Sequence, residues 1–402
     1  MKKYIALLLA LVMVFALAAC GNKGGESADG GDAAEAEGYR VAMITDYGDI
    51  TDQSFNQTTY EASKAFCEKN DIDFTYYKPA GDSTADRVAM VEKAVDEGYN
   101  VIVMPGFAFA GTIAAVQDEY PDVKFIALDV SEYDITSAFY KTDADGNPTD
   151  ELLDPDNEPH ISDNVYSAVY KEELCGYMAG YAAVMLGYEK LGFLGGMAVP
   201  AVQRYGYGFV QGCDAAAAKL EKTVSMKYAY GNQFFGDADI TAAMDTWYAD
   251  GTQVVFACGG GIFTSAVDAA KKVDGAKVIG VDVDQAGVIE KYAEVKGLTV
   301  TSAMKGLAAT VDTMLTETVL NNNWTKFGGK VESLGLVSGD DPSLNYVGIP
   351  TGDGTQWSDS FSVDDYNALV KDMFDGKIKV SDSIDSEPET TACQVSWLGN
   401  IK

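Results

Sequence analysis

RVAMITDYGDITDQSFNQ, residues 40–57, sets a short apolar run against a loop with three aspartates and then opens what reads as a helix. The run is strand-length and bounded by turn residues, so it reads as a buried β-strand. Ser54 followed three residues later by Gln57 forms a capping box, in which hydroxyl and amide each satisfy backbone N–H groups at a helix start. Phe55 and Asn56, at the first two helical positions, have no capping duty and point to whatever lies beyond the strand's end. Asp49 reads as a turn residue, whereas Asp46, just after the strand, and Asp52, just before the cap, are candidates for ligand contact.

The same strand–loop–helix unit recurs along the chain. Strands are predicted at 40–45, 73–78, 100–105, 123–129 and 164–170, with helices over 54–69, 84–97 and 109–119. The scheme repeats with strands at 190–196, 223–230, 252–258, 277–282 and 298–304. Alternation of this kind predicts an α/β fold with parallel sheets in two similar halves. The stretch KEELCGYMAGYAAVMLG (171–187) has small and apolar residues at helical spacing and suits a helix at the junction of the halves. A polar excursion over 134–163 reads as a surface insertion. Open parallel sheets bind ligands beyond the carboxyl ends of their strands, so two facing halves hold a ligand between them.

Length and composition narrow the function. The 402 residues allow two domains, and 61 acidic against 29 basic residues give a formal charge of -32, which repels phosphate backbones and excludes nucleic acid as a partner. The ligand is expected to be neutral or cationic. MKKYIALLLALVMVFALAAC (1–20) has the lysines, apolar core and small residues of an export signal. Residues 21–38, glycine-rich and acidic, lack the apolar surface to fold and read as a tether reaching on the order of 23 Å. Cys67, Cys175, Cys213, Cys258 and Cys393, widely spaced and odd in number, read as buried thiols. His160 is the single histidine and lies in a loop, leaving little room for a Ser-His-Asp triad or a histidine-rich metal site. No Walker A sequence occurs, so an ATPase would be another chain.

DYGDITDQSFNQ (46–57), GFLGGMAVPAVQRYGYGFVQG (192–212), CGGGIF (258–263), VIGVDVDQ (278–285) and TSAMK (301–305) stand in the order and spacing of a known family. Over about residues 39–320 the chain resembles the basic membrane protein family, lipid-anchored substrate-binding proteins of ABC transporters that include purine nucleoside receptors. LAAC similarly resembles a lipobox, with Cys20 the lipidated residue. The resemblance implies a type I periplasmic-binding-protein fold, two doubly wound parallel-sheet lobes joined by hinge strands near 167–171, 303–306 and 335–350. Lobe 1 then spans 39–167 and 304–335, and lobe 2 spans 168–303 and 336–402. It implies that Asp46 and Asn56 reach the ligand with Phe55 beside the base, and that Asp129 contacts the purine edge. Tyr205 stands where many members have Phe; Gly259 and Gly260 offer backbone groups; Asp282 and Lys305 match residues that hold the ribose hydroxyls.

Physical chemistry is compatible with those roles. A purine is flat and apolar on both faces, so Phe55 and Tyr205 could clamp it while polar side chains read its edges. Lys305 would offset the buried carboxylates. Phe107 and Phe109 read as lobe-core or cleft-wall residues, and Asp237 and Asp284 as helix caps. The expected protein is a monomeric, non-enzymatic, membrane-anchored extracytoplasmic receptor that passes a nucleoside to a permease, with no cofactor or metal. Two alternatives stay open: a sugar or autoinducer-type receptor of the same fold, and a calcium-dependent nucleoside hydrolase. The D-x-x-D-x-x-D spacing and the absence of a nearby histidine speak against the hydrolase.

Overall fold

The computed structural model describes residues 38–402 except Tyr47 and residues 144–146; the export segment with Cys20 and most of the tether lie outside the described residues. The described residues fall within one unit, Ala36–Lys402. The first half runs β1 (Val41–Ile44), α1 (Phe55–Lys69), β2 (Phe74–Tyr77), α2 (Thr84–Asp96), β3 (Val101–Pro105), α3 (Ala110–Val116), β4 (Lys124–Leu128), α4 (Glu132–Ser137), β5 (Tyr140–Thr142), β6 (Pro148–Leu152) and β7 (Val165–Tyr170). After α5 (Glu172–Met185) come β8 (Lys190–Gly195), α6 (Pro200–Lys219), β9 (Val224–Tyr230), α7 (Ala238–Ala249), β10 (Val254–Cys258), α8 (Phe263–Ala270), β11 (Lys277–Asp282), α9 (Ala286–Ala293) and β12 (Thr299–Lys305). The chain returns through α10 (Leu307–Leu315) to β13 (Lys330–Leu334), then crosses to β14 (Val347–Gly348), α11 (Val363–Phe374) and β15 (Cys393–Asn400).

One sheet has the order β13-β7-β4-β3-β1-β2 and is parallel throughout; the other is β14-β12-β11-β10-β8-β9-β15, parallel except at β14. This is a type I periplasmic-binding-protein fold. Strands such as VAMI are buried at every position because helices cover both faces of a parallel sheet. Alternation still sorts the faces. Ala42 and Ile44 pack toward α2 and α3, whereas Val41 and Met43 join a core running through α1, α5, α6, α10 and α11 to the second sheet. In each half the chain order reverses beside the first strand, between β1 and β3 and between β8 and β10, so the clefts open at the carboxyl ends of these strands.

Three crossovers link the halves and bond to one another. The Lys171 N–H donates to the Leu334 carbonyl (2.9 Å), that of Gly306 to Tyr346 (2.7 Å) and that of Tyr346 to Gly335 (3.0 Å). The 134–163 insertion is α4 followed by the antiparallel β5–β6 hairpin, its end tied back by His160, whose Nε2 lies 3.0 Å from Asp118. The helix expected over 109–119 is shorter: Phe107–Phe109 form a 3-10 turn before α3 begins at Ala110, and α3 ends at Val116, with residues 117–119 in a turn. All five cysteines after Cys20 are buried free thiols. Among the described residues no helix is long and apolar enough to cross a membrane.

Helices α5 and α6 touch backbone to backbone. A methyl group on Gly176 or Gly180 would meet the carbonyl oxygen of Tyr205 or Phe209, and one on Gly208 or Gly212 that of Glu173 or Tyr177. Both helices thus carry glycines four apart on the contact face. Replacing Gly212 with alanine gains about 1 kcal/mol of helix propensity but forces the pair apart. Gly212→Ala is expected to lower unfolding free energy by about 2 kcal/mol in urea titration; an unchanged midpoint would mean that the helices do not pack at this distance.

Candidate ligand-binding site

Loops leaving β1, β3 and β4 face loops leaving β8, β9 and β10 and the ends of β11 and β12 across a cavity. The space between the halves, its open mouth and the solvent in it included, amounts to about 670 Å³. Asp46, Phe55, Asn56, Asp129, Tyr205, Gly259, Gly260, Asp282 and Lys305, the nine residues named from sequence, all line it. So do Asp52, Phe107 and Phe234, while Phe109 is fully buried in the first half's core.

The loop after β1 is wired differently from the expected capping box. Ser54 makes no capping bond at the start of α1. Asp52 takes that duty, accepting from the backbone N–H groups of Ser54 (2.9 Å), Asn56 (2.9 Å) and Gln57 (3.0 Å). A carboxylate outcompetes a hydroxyl there because it offers two oxygens to several donors at the positive end of the helix. Burial nonetheless dominates its titration and pushes the Asp52 carboxyl up to about 6. Gln57 instead accepts from the Gln53 N–H (3.1 Å) and bonds the Gln53 amide (2.7 Å), holding Gln53 at φ +59°.

The Asn56 amide nitrogen donates to Asp46 (3.0 Å) and Asp52 (3.2 Å). Two carboxylates fix the orientation of the amide, leaving Asn56 Oδ1 buried with no hydrogen-bond partner in the described structure. Asp46 therefore positions Asn56 as well as lining the cavity. Gly106, at φ +122°, leaves Asp46 its place: a methyl group there would overlap the carboxylate. Asp49 turns away to pair with Lys78 at 2.6 Å, so the three loop acids do not converge.

Beneath these groups lies a buried charge centre. Asp129 and Asp282 follow or end the fourth strand of their respective halves, and both adopt left-handed backbone, φ +61° and +65°. Strained conformations of this kind persist where the surroundings over-determine them. Lys305, at the end of β12, pairs with Asp129, with Glu172 at 3.4 Å and with Asp282 at 3.7 Å; its side chain is 3% exposed. Burial disfavours the ammonium, but Asp129, Asp282 and Glu172 outweigh it and hold Lys305 charged above its ordinary range. Burial also pushes Asp129 up, to about 7, against the pull of Lys305. Asp129 Oδ1 is a second buried acceptor with no hydrogen-bond partner in the described structure.

Sequence reasoning missed Glu172 and Arg204, which pair at 2.7 Å behind Lys305. Glu172 stands in KEEL directly after a strand, where acids read as ordinary helix-start residues. It also missed Phe234. Tyr205 lines the cavity, but its hydroxyl donates to Asp282 (3.2 Å) and its ring meets Phe256 edge-on at 6.1 Å. Lys305 lies over the rings of Phe55 (4.7 Å) and Tyr205 (5.5 Å).

The family model described as "ABC transporter substrate-binding protein PnrA-like" matches residues 39–348. The chain belongs to this family. As a member it takes a small-molecule ligand and works with a membrane permease on the extracytoplasmic side. It is 27% identical, over 94% of its length and 99% of the relative's, to the "ABC transporter nucleoside-binding protein BmpA" of Lactococcus lactis. It is 26% identical to "Basic membrane protein B" of Borreliella afzelii, over 75% of this chain and 79% of that one. Among solved structures it is similar to an ABC transporter solute-binding protein from Aeropyrum pernix, with TM-score 0.60 and 20% identity over 85% of this chain and 87% of that one, which speaks to fold alone.

Removing Lys305 leaves three buried carboxylates facing Arg204 alone. Lys305→Met is expected to cost about 3–5 kcal/mol of stability at pH 8. The sign with pH follows from Asp129, whose raised folded pKa makes the native state bind more protons than the unfolded chain between about pH 4 and 7. Its favourable contribution is present in acid and lost as pH rises through 7. Urea unfolding is therefore expected to show a smaller loss at pH 5, where the lone carboxyl takes a proton, than at pH 8.

Proposed function

We propose that the cavity binds a nucleoside, with purines preferred, and that the protein delivers it unchanged to its permease. The observation that carries this reading is the pair of buried acceptors, Asn56 Oδ1 and Asp129 Oδ1, unpartnered in a cavity walled by Phe55. Leaving such atoms unmatched is costly, so the ligand must bring N–H or O–H donors beside a flat apolar face. The N–H edge of a base meets that demand. Asp46, Asp52, Asp129 and Asp282 against Lys305 repel a phosphate, favouring nucleosides over nucleotides. In this reading Phe55 stacks on one face of the base, with Phe234 and Tyr205 walling the other; Asp282, Lys305 and the backbone at Gly259 and Gly260 hold the ribose. The nucleoside-binding name of the Lactococcus lactis relative supports it.

The two sheets act as lobes that close on the ligand about the crossovers; the boundaries expected at 167 and 304 shift to the strand ends, after β7 at Tyr170 and after β12 at Lys305. Cys20 anchors the chain by lipid, and the acidic tether holds the lobes clear of the membrane.

Mass spectrometry of small molecules carried through purification, then calorimetry with guanosine, inosine, adenosine, uridine and ribose, tests the proposal. Purine nucleosides are expected to bind most tightly, and Phe55→Ala to weaken them by about 10- to 100-fold through lost stacking. Ribose binding as tightly as any nucleoside would refute base recognition.

A further inference from the structure

The freed hydroxyl of Ser54 has a second destination. It donates to Asp282 Oδ2 at 2.6 Å, from the loop after β1 to the end of β11, across the cleft between the two halves. Ser54 is fully buried and Asp282 is 6% exposed. The other oxygen of Asp282 receives Tyr205 from its own half. One carboxylate is thus gripped by one hydroxyl from each half, and its full orientation exists only while the halves are together.

A second bond crosses beside the first. The Gln285 amide donates to the Gln53 carbonyl at 3.0 Å. Gln285 is held in place by its own strand end: its Oε1 accepts from the Val281 N–H at 2.9 Å, and its backbone N–H donates to Ser302 at 3.1 Å. Gln53 is held by Gln57 in left-handed backbone. Both crossings come from adjacent residues. Ser54 accepts no N–H group of its own helix, and its O–H is directed across the cleft to Asp282.

We infer that Ser54 is a positioning residue that couples lobe closure to the orientation of Asp282, and that with the Gln53–Gln285 bond it forms a latch holding the closed form without help from the ligand. The inference rests on the reading that Asp282 faces the ligand, but the latch itself does not depend on what the ligand is. A hydroxyl donating to a buried carboxylate is among the stronger neutral–charged hydrogen bonds, and it forms only on closure, so its loss appears in the dissociation rate.

The test uses the folded receptor with nitroxide labels on Asp82→Cys and Asp239→Cys, exposed positions on opposite halves, in a chain beginning after Cys20, the five cysteines of the described residues being buried. In ligand-free protein, pulsed dipolar spectroscopy is expected to find a short-distance, closed population that Ser54→Ala diminishes. Ser54→Asp, which keeps a good helix-capping residue but faces Asp282 with a like charge, abolishes it. In stopped flow with guanosine, Ser54→Ala is expected to speed dissociation about tenfold with little change in association, and Ser54→Thr to restore it. A purely structural serine would lower the melting temperature of the ligand-free protein and leave spacing and dissociation unaltered, which would overturn the proposal; so would a closed population indifferent to Ser54→Asp. If guanosine does not bind while the distances still respond to Ser54, the nucleoside reading fails and the latch stands.

Discussion

A single ammonium group, Lys305 Nζ, organises the cleft. It lies at the end of β12, next to the crossover at Gly306, and it is paired with Asp129 from one half, Asp282 from the other and Glu172 at the start of α5. Arg204 supports it through Glu172. Three carboxylates against two cations leave the buried cluster one negative charge in excess. Such a cluster is tolerable only when nearly every oxygen is bonded; Asp129 Oδ1 and the neighbouring Asn56 Oδ1, which have no hydrogen-bond partner among the described residues, belong to residues that line the cavity. The economy of the charge centre and the chemistry asked of a ligand are therefore one constraint.

The two halves build this centre by the same device. Each folds its first strand into the middle of a parallel sheet and turns sharply after its fourth, placing an aspartate in left-handed backbone, in FIALD and in VIGVD. The acids approach one lysine from opposite sides. The same turn in each half sets Asp129 opposite Asp282; the asymmetry is that only the second half supplies the cation.

Much of the architecture was legible because period and spacing suffice for it. Fully apolar runs such as VAMI and VVFAC, separated by helices and closed by glycine or aspartate, specify parallel strands whose carboxyl ends share a cleft. Of the nine residues named for the site, Asp46, Asp129, Gly259, Gly260, Asp282 and Lys305 fall there because they sit at or just beyond strand ends, and Phe55, Asn56 and Tyr205 because they lie in the early turns of the helices that follow. What was misread was local competition: Ser54 and Gln57 fit a capping box, yet Asp52, with two oxygens and a full charge, takes the helix start and frees the serine. Phe234 and Glu172 were missed because an aromatic after a strand and an acid opening a helix are ordinary in sequence and become notable only by their neighbours.

By itself the sequence determined what nearest neighbours and periodicity control: the strands, the helices, the two-half plan, the negative surface and the family whose motifs run in order. Contacts between residues 77 to 228 positions apart were decided by the tertiary structure alone, among them Tyr205 with Asp282, Lys305 with Asp129 and Ser54 with Asp282. Sequence pattern encodes which face a side chain presents. Which partner wins a buried carboxylate depends on desolvation and on competing donors brought together only when both sheets have formed.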